Sequence, residues 1–281
     1  MTNPMPTLER VIAGLGELPP LPEVVTELLE YVRGENVDAQ QVIRQIARDQ
    51  ALTARVLRVA NSSFYGLQSR VATLQEAVIV LGLRTVATLV TAAGVLNTFA
   101  GGAAQRTEQR AFWVHGFGAG LCARALARHS GSDPERAFTA ALLHDLGRLA
   151  LATKHAELFG RVTAYRLERD CHLLQAEREV LGFDHAQVGA ALAQRWNFAP
   201  EIKVAVEFHH APEAAAHDLL AVITHVADVM AHALEIPGGE SDLMPRLSPD
   251  AWQRLKLDSA SFKSLLVEVQ ARRADIETFL V

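Results

Sequence analysis

The chain has 281 residues, 49% hydrophobic and 21% charged, with a formal net charge of −5. This balance excludes a disordered chain, and the length suffices for one large domain or two smaller ones. Lys and Arg are scattered with no basic run or tail, so sequence-independent binding to nucleic acid is not expected.

The start, MTNPMPTLERVIAGLGELPPLPEV, has no basic region followed by an apolar core. No stretch approaches the roughly 18 uninterrupted apolar residues that span a membrane. Cys122 and Cys171 lack C-x-x-C spacing, which predicts neither a disulfide framework nor thiolate metal ligands. A cytoplasmic protein is expected.

Pro19, Pro20 and Pro22 interrupt the chain, and Pro22 can open a helix. From Glu23, the residues Val24, Val25, Leu28, Leu29 and Val32 fall on one helical face, with Gly34 as a stop. A second helix turns Val42, Ile43 and Ile46 inward. A third carries Leu52, Val56, Leu57 and Ala60 and closes at Gly66. Asn61, Ser62, Ser63 and Tyr65 make its end polar, as a cap would. Thr73 is an N-cap, and Gly82-Leu83 divides the two helices that follow.

Residues 100–107, AGGAAQRT, read as a loop with a boundary near Gly101. Beyond it the spacing predicts helices over 110–129, 134–152, 155–170, 176–181, 184–196, 200–209 and 218–234. EIPGGESDLMP is a second loop. Two short capped helices follow, the first opened by Ser248-Pro249. No alternating strand pattern appears, so the expected fold class is all-α. Residues 1–100 form an N-terminal helical subdomain, 101–235 a second helical subdomain, and 236–281 a tail packed on the core.

Several of the eleven histidines stand where apolar residues belong. His115, the pair His144-Asp145, His185, the pair His209-His210, His225 and Asp228 all follow the Gly-rich loop. A buried Asp is costly unless paired, and a divalent cation is an effective partner. Imidazole and carboxylate together suit Fe, Mn, Zn or Ni, and carboxylate also suits Mg. Adjacent helical residues differ by about 100° in direction, so His144 and Asp145 can both reach an ion above that arc. His115 and Asp228 can close its shell from other helices. His225 shares a face with Asp228 and reads as a ligand, a partner of Asp228, or core. His129, His155, His172 and His217 read as surface or helix-end residues, and His232 as core or surface. Asp145 can also cap a helix or pair with Arg148.

Taken in order, LPPLPEVV, DQALTARVLRVANSSFYG and EAVIVLGLRTV, then FWVH, ALLHDLGRL, EREVLGFDHAQVGAALAQRWNFAPEI and FHHAP, resemble the HDOD family. That family is a signalling relative of the HD-domain metal-dependent phosphohydrolases. The resemblance runs from Leu18 to Leu234. It implies an N-terminal helical subdomain packed on an HD-like helical core. It also implies that His115, His144, Asp145 and Asp228 occupy the positions of the superfamily's metal ligands. His185, His209 and His210 match the further ligands of the branch that cleaves cyclic di-GMP. Two features depart from that branch: Arg148 replaces a Lys after the His-Asp pair, and HHAPEAAAHD lacks the Gly-Tyr-Pro loop.

The resemblance therefore implies a non-catalytic signalling module acting through a protein partner or a small nucleotide, whose His-Asp cluster holds either a divalent metal or a hydrogen-bond network left over from a metal site. The alternative is a metal-dependent phosphohydrolase acting on a nucleotide or cyclic dinucleotide, with Asp145 and Arg148 at the reaction.

Overall fold

The computed structural model describes residues 7–14, 21–32, 39–61, 70–99, 103–215, 217–236 and 243–272. Within them the chain is helical and forms no strand. Pro19, Pro20, Gly34, Ser62, Ser63, Tyr65, Gly66 and Gly101 lie outside the described residues, as do positions 237–242 of the second expected loop.

The first helices are α1 (Leu8–Gly14), α2 (Glu23–Val32), α3 (Ala39–Ile46), α4 (Gln50–Ala60), α5 (Leu74–Leu81) and α6 (Leu83–Thr98). The expected inward faces are buried at Val25, Leu28, Leu29, Val42, Ile43, Ile46, Leu52, Val56 and Ala60. Thr73 makes a capping box with Glu76, which satisfies the first free amides of α5. Asn61 ends α4 by bonding both amide and carbonyl of Val71 at 2.7 Å, so the polar helix end has a structural use. Helix α1 was not predicted, because a single buried side chain, Val11, leaves too short an apolar stripe to read.

The remaining helices are α7 (Ala103–Ser130), α8 (Pro134–Leu143), α9 (Leu146–Lys154), α10 (Ala156–Arg169), α11 (Leu173–Leu181), α12 (His185–Arg195), α13 (Pro200–Phe208), α14 (Leu219–Ala233), α15 (Pro249–Arg254) and α16 (Ser259–Gln270). A short 3-10 turn spans Pro212–Ala215. Helix α7 starts inside the expected loop, since the Ala-rich run after the glycines favours helix over coil.

Helix α7 is the axis of the second half and packs on both α8 and α14. A Cβ at Gly116 would meet the Leu142 carbonyl oxygen at 2.5 Å, so only glycine lets α7 and α8 approach this closely. Helix α13 joins α14, α12 joins α13, and α9 lies against α12. The first half meets the second where α6 faces α8: Thr88 and Thr139 hydroxyls bond at 2.6 Å, and Thr85 donates to Glu135 at 2.7 Å. The buried apolar side chains of all these helices form one continuous core. No single described helix is long and apolar enough to cross a membrane.

Candidate metal centre

The pattern over 134–152 predicted one helix, and the structure breaks it at the His144-Asp145 pair. Helix α8 ends at Leu143 and α9 begins at Leu146. Asp145 takes φ −89° and ψ 16°, which redirects the chain between them. In a continuous helix the two side chains would splay apart. The turn instead brings His144 Nε2 within 3.7 Å of Asp145 Oδ1.

His144 and His209 each follow the last residue of a helix, where carbonyls lack helical partners. Each ring exploits that vacancy. His144 donates Nδ1–H to the Ala141 carbonyl at 2.6 Å, and His209 donates Nδ1–H to the Val206 carbonyl at 2.7 Å. His185 opens α12, where Asp184 and Gln187 form a capping box. Its Nδ1 lies 2.6 Å from Glu177 Oε2. All three rings therefore turn Nε2 inward, and Asp145 Oδ1 lies 3.7, 3.3 and 3.9 Å from Nε2 of His144, His185 and His209. His210 Nε2 stands 3.0 Å from His185 Nε2.

Asp228, on α14, gathers a second group. Its Oδ1 lies 2.9 Å from His115 Nε2 and 3.5 Å from His144 Nε2. His144 thus faces both carboxylates. The expected residues His115, His144, Asp145, His185, His209, His210 and Asp228 are brought to one place. Arg148 sits one turn into α9, with Nη1 3.7 Å from Asp145 Oδ2.

Of the three readings of His225 the core one stands, while His232 departs from expectation. His225 faces away from Asp228: its Nδ1–H donates to the His209 carbonyl at 2.7 Å, and its Nε2 accepts the Ser248 amide at 2.9 Å. Both ring nitrogens are used, so it is not a partner of Asp228. His232, expected as core or surface, comes within 3.5 Å of Asp228 Oδ1. The spacing Asp228-x-x-x-His232 was the available signal, since residues four apart share a helix face. Glu177 carried no comparable signal, because its contact with His185 crosses an interhelical turn.

The electrostatics are those of a crowded buried cluster. Burial opposes charge on His144, but Asp145 and Asp228 outweigh it and raise its pKa to about 9. Burial likewise opposes charge on His185, and Glu177 followed by Asp145 raises it to about 9. Burial, then the neighbouring His144 and His185, pushes His209 down to about 3. Burial favours the neutral form of Asp145 and of Asp228, yet the surrounding imidazoles hold both carboxyls well below the usual range. The donor set fits divalent cations: several Nε2 atoms meet at close range with two carboxylates of opposite charge to an ion.

Beside the cluster opens a cavity of about 450 Å³. Asp145, Asp228, His185, His210 and His232 form its floor, Arg148, Arg178 and Arg246 supply cations, and Leu173, Leu174, Leu243 and Pro245 supply apolar wall. His172, at the start of α11, also reaches this cavity.

Residues 18–212 match the family model of the HDOD domain. A protein of Treponema pallidum (strain Nichols), itself uncharacterized, is 29% identical over 219 residues, 76% of this chain and 41% of its own length. The chain thus spans less than half of that curated relative. An HDOD domain protein of unknown function from Geobacter sulfurreducens has a TM-score of 0.79 at 23% identity, with 96% of each chain covered. A structure from Shewanella amazonensis SB2B, described as a candidate phosphohydrolase, has a TM-score of 0.76 at 27% identity, covering 96% of this chain and 98% of that one. A candidate signal transduction protein from Marinobacter aquaeolei VT8 has a TM-score of 0.74 at 23% identity, covering 99% of this chain and 61% of that one.

Proposed function

Because the chain belongs to the HDOD domain family, we propose that it is a signalling module whose second half binds divalent metal and, at the mouth of that centre, a phosphate-bearing nucleotide. The observation that carries this reading is the common orientation of three imidazoles. His144, His185 and His209 each commit Nδ1 to a protein partner and turn Nε2 toward Asp145 Oδ1. Partners behind a ligating histidine fix its tautomer in this way.

His115, His144, Asp145 and Asp228 would hold one ion, and Asp145, His185, His209 and His210 a second. A bound divalent ion supplies positive charge that attracts and polarises a phosphate oxygen. The protein's own part is positional. Arg148, Arg178 and Arg246 line the cavity, and a guanidinium fork suits phosphate oxygens. The leucines and Pro245 offer an apolar face to a base. Helices of residues 1–100 would carry the output, through the hydroxyl contacts between α6 and α8.

A second reading is a metal-dependent phosphohydrolase. It is favoured by the position of Asp145 Oδ1 between the two ligand groups, from which one carboxylate can serve two ions. The 27% identity to the candidate phosphohydrolase supports it as well.

The test is elemental analysis of protein purified without chelator, followed by thermal melts with nucleotides and cyclic dinucleotides, with and without Mn²⁺. The signalling reading expects bound metal, a melting temperature raised by nucleotide only in the metal-loaded protein, and no turnover. Turnover that His144→Ala abolishes would move the protein to the second reading. Absence of metal uptake would sink both.

A further inference from the structure

We infer that a second cavity, reached past Arg178 from the first, is a base subsite that selects guanine, with Glu207 as the residue that reads it. This rests on the nucleotide-binding reading above and deepens it. The cavity measures about 480 Å³ and lies where the first turn of α12 meets the last turn of α13. Arg178 and His210 line both cavities, so one ligand can reach from one into the other.

Arg178 is a fixed post on that boundary. Its Nε and Nη2 each lie 2.9 Å from Asp184 Oδ2. Asp184 is buried and caps α12 by accepting the Gln187 amide at 3.1 Å. The Arg178 side chain is still 57% exposed, and a guanidinium has five N–H groups, so donors remain for a phosphate oxygen.

The second cavity differs from the first in its chemistry. The leucine wall of the first holds a sugar or a base without telling one base from another. Glu207, Gln187 and Phe208 line the second. Among the described residues the Glu207 carboxylate has no hydrogen bond or ion pair. Lys203, one turn earlier on the same face, bonds Gln194 Oε1 at 3.0 Å instead. The end of α13 adds partial negative charge around Glu207, so this position favours N–H donors from a ligand. Gln187 Oε1 is occupied by the Asp184 amide at 3.0 Å, which fixes the side-chain amide and leaves Nε2–H to donate. Phe208 offers a half-buried ring for stacking. Guanine presents two adjacent donors, N1–H and the N2 amine, that pair with one carboxylate, and its O6 beside them accepts from an amide. Adenine and cytosine place a ring acceptor beside their amine, and uracil flanks its one N–H with carbonyls. Guanine alone matches the whole set.

The test is calorimetric titration of the Mn²⁺-loaded full chain with GMP, IMP, AMP and ribose 5-phosphate. IMP lacks only the N2 amine, and ribose 5-phosphate lacks the base. GMP is expected to bind tightest, about 10–100-fold ahead of IMP and AMP, the scale of one hydrogen bond to a charged group. Glu207→Gln should bring GMP down to the level of IMP, with Mn²⁺ uptake, melting temperature and ribose 5-phosphate binding unchanged. Glu207→Ala should do the same, so the result does not depend on how the new amide bonds. If wild-type protein binds GMP, IMP and AMP alike, or both variants keep the preference for GMP, the inference fails while the proposed function stands. If the metal-loaded protein binds none of the four, the proposed function fails and this inference with it.

Discussion

Glu177 Oε2 accepts both the backbone amide of His185, at 3.0 Å, and the Nδ1 of the same residue, at 2.6 Å. One fully buried carboxylate thus fixes the main chain and the ring of a single candidate ligand. The pair crosses the turn between α11 and α12, so the carboxylate sits behind the imidazole and Nε2 is left to face the centre.

Glu177→Leu is expected to weaken uptake of the ion on the His185 side by about 10–100-fold. It should also cost about 1–3 kcal/mol of stability, because the His185 amide loses its buried acceptor. Glu177→Gln keeps a carbonyl able to accept both bonds and should lose much less of each. Isothermal titration with Mn²⁺ and urea melts of the two variants check this; equal losses would show that charge, and not the bond pattern, is what matters.

Close backbone contact between α9 and α12 gives the next prediction. A Cβ at Gly147 would lie 1.9 Å from the His185 carbonyl oxygen and 2.5 Å from the Gly189 amide nitrogen. Gly147→Ala must push these helices apart, at a cost of about 1–3 kcal/mol or more. It should also impair metal uptake, since Asp145 and His185 stand on opposite sides of the contact. Gly160 in α10 meets nothing within 4 Å, so Gly160→Ala should be neutral or stabilising by up to about 1 kcal/mol. Urea melts of both variants decide it.

The metal-free protein should be most stable near pH 6.5. His144 and His185 are raised from 6.5 to about 9, so their contribution is full below pH 6.5 and is lost as pH climbs through 9. His209 is lowered from 6.5 to about 3 and stays neutral in the fold. The unfolded chain therefore binds its proton first, and stability falls as pH drops below 6.5. Metal displaces the protons of His144 and His185, so uptake at pH 7 should release protons and the alkaline loss should vanish in the loaded protein. Melts across pH 5–10 with and without metal, and calorimetry in two buffers of different ionisation enthalpy, measure both effects.

Much of this was legible in the residues. Caps at Thr73 and Ser248 and the apolar stripes of α2 to α4 follow from local chemistry, and they stand as expected. The convergence of His115, His144-Asp145 and Asp228 was expected from costly residues in apolar runs together with ordered family motifs. The interruption at His144-Asp145 was not legible, because Leu142, Leu143, Leu146 and Leu149 continue a helical stripe on either side and are all buried. The two roles of His225 were equally hidden, since they depend on the His209 carbonyl and the Ser248 amide, which sequence periodicity does not place.

His225→Leu removes the bond to the His209 carbonyl and the acceptor for the Ser248 amide. It should cost about 2–5 kcal/mol in stability, two buried backbone groups losing their partners together. Amide hydrogen exchange at Ser248 should accelerate well beyond the change at Ala251 in the next turn. Equal acceleration at both positions would mean general loosening and not the loss of this contact.

The His225 imidazole is thus a mechanical coupling. One nitrogen grips the main chain of His209, whose ring faces the His-Asp cluster, and the opposite nitrogen grips the start of α15, where Ser248 also bonds Glu213. Arg246, two residues before that anchor, borders the cavity. A displacement of the His209 main chain would pull on both bonds, so filling or emptying the centre would be felt at a basic wall of its own entrance.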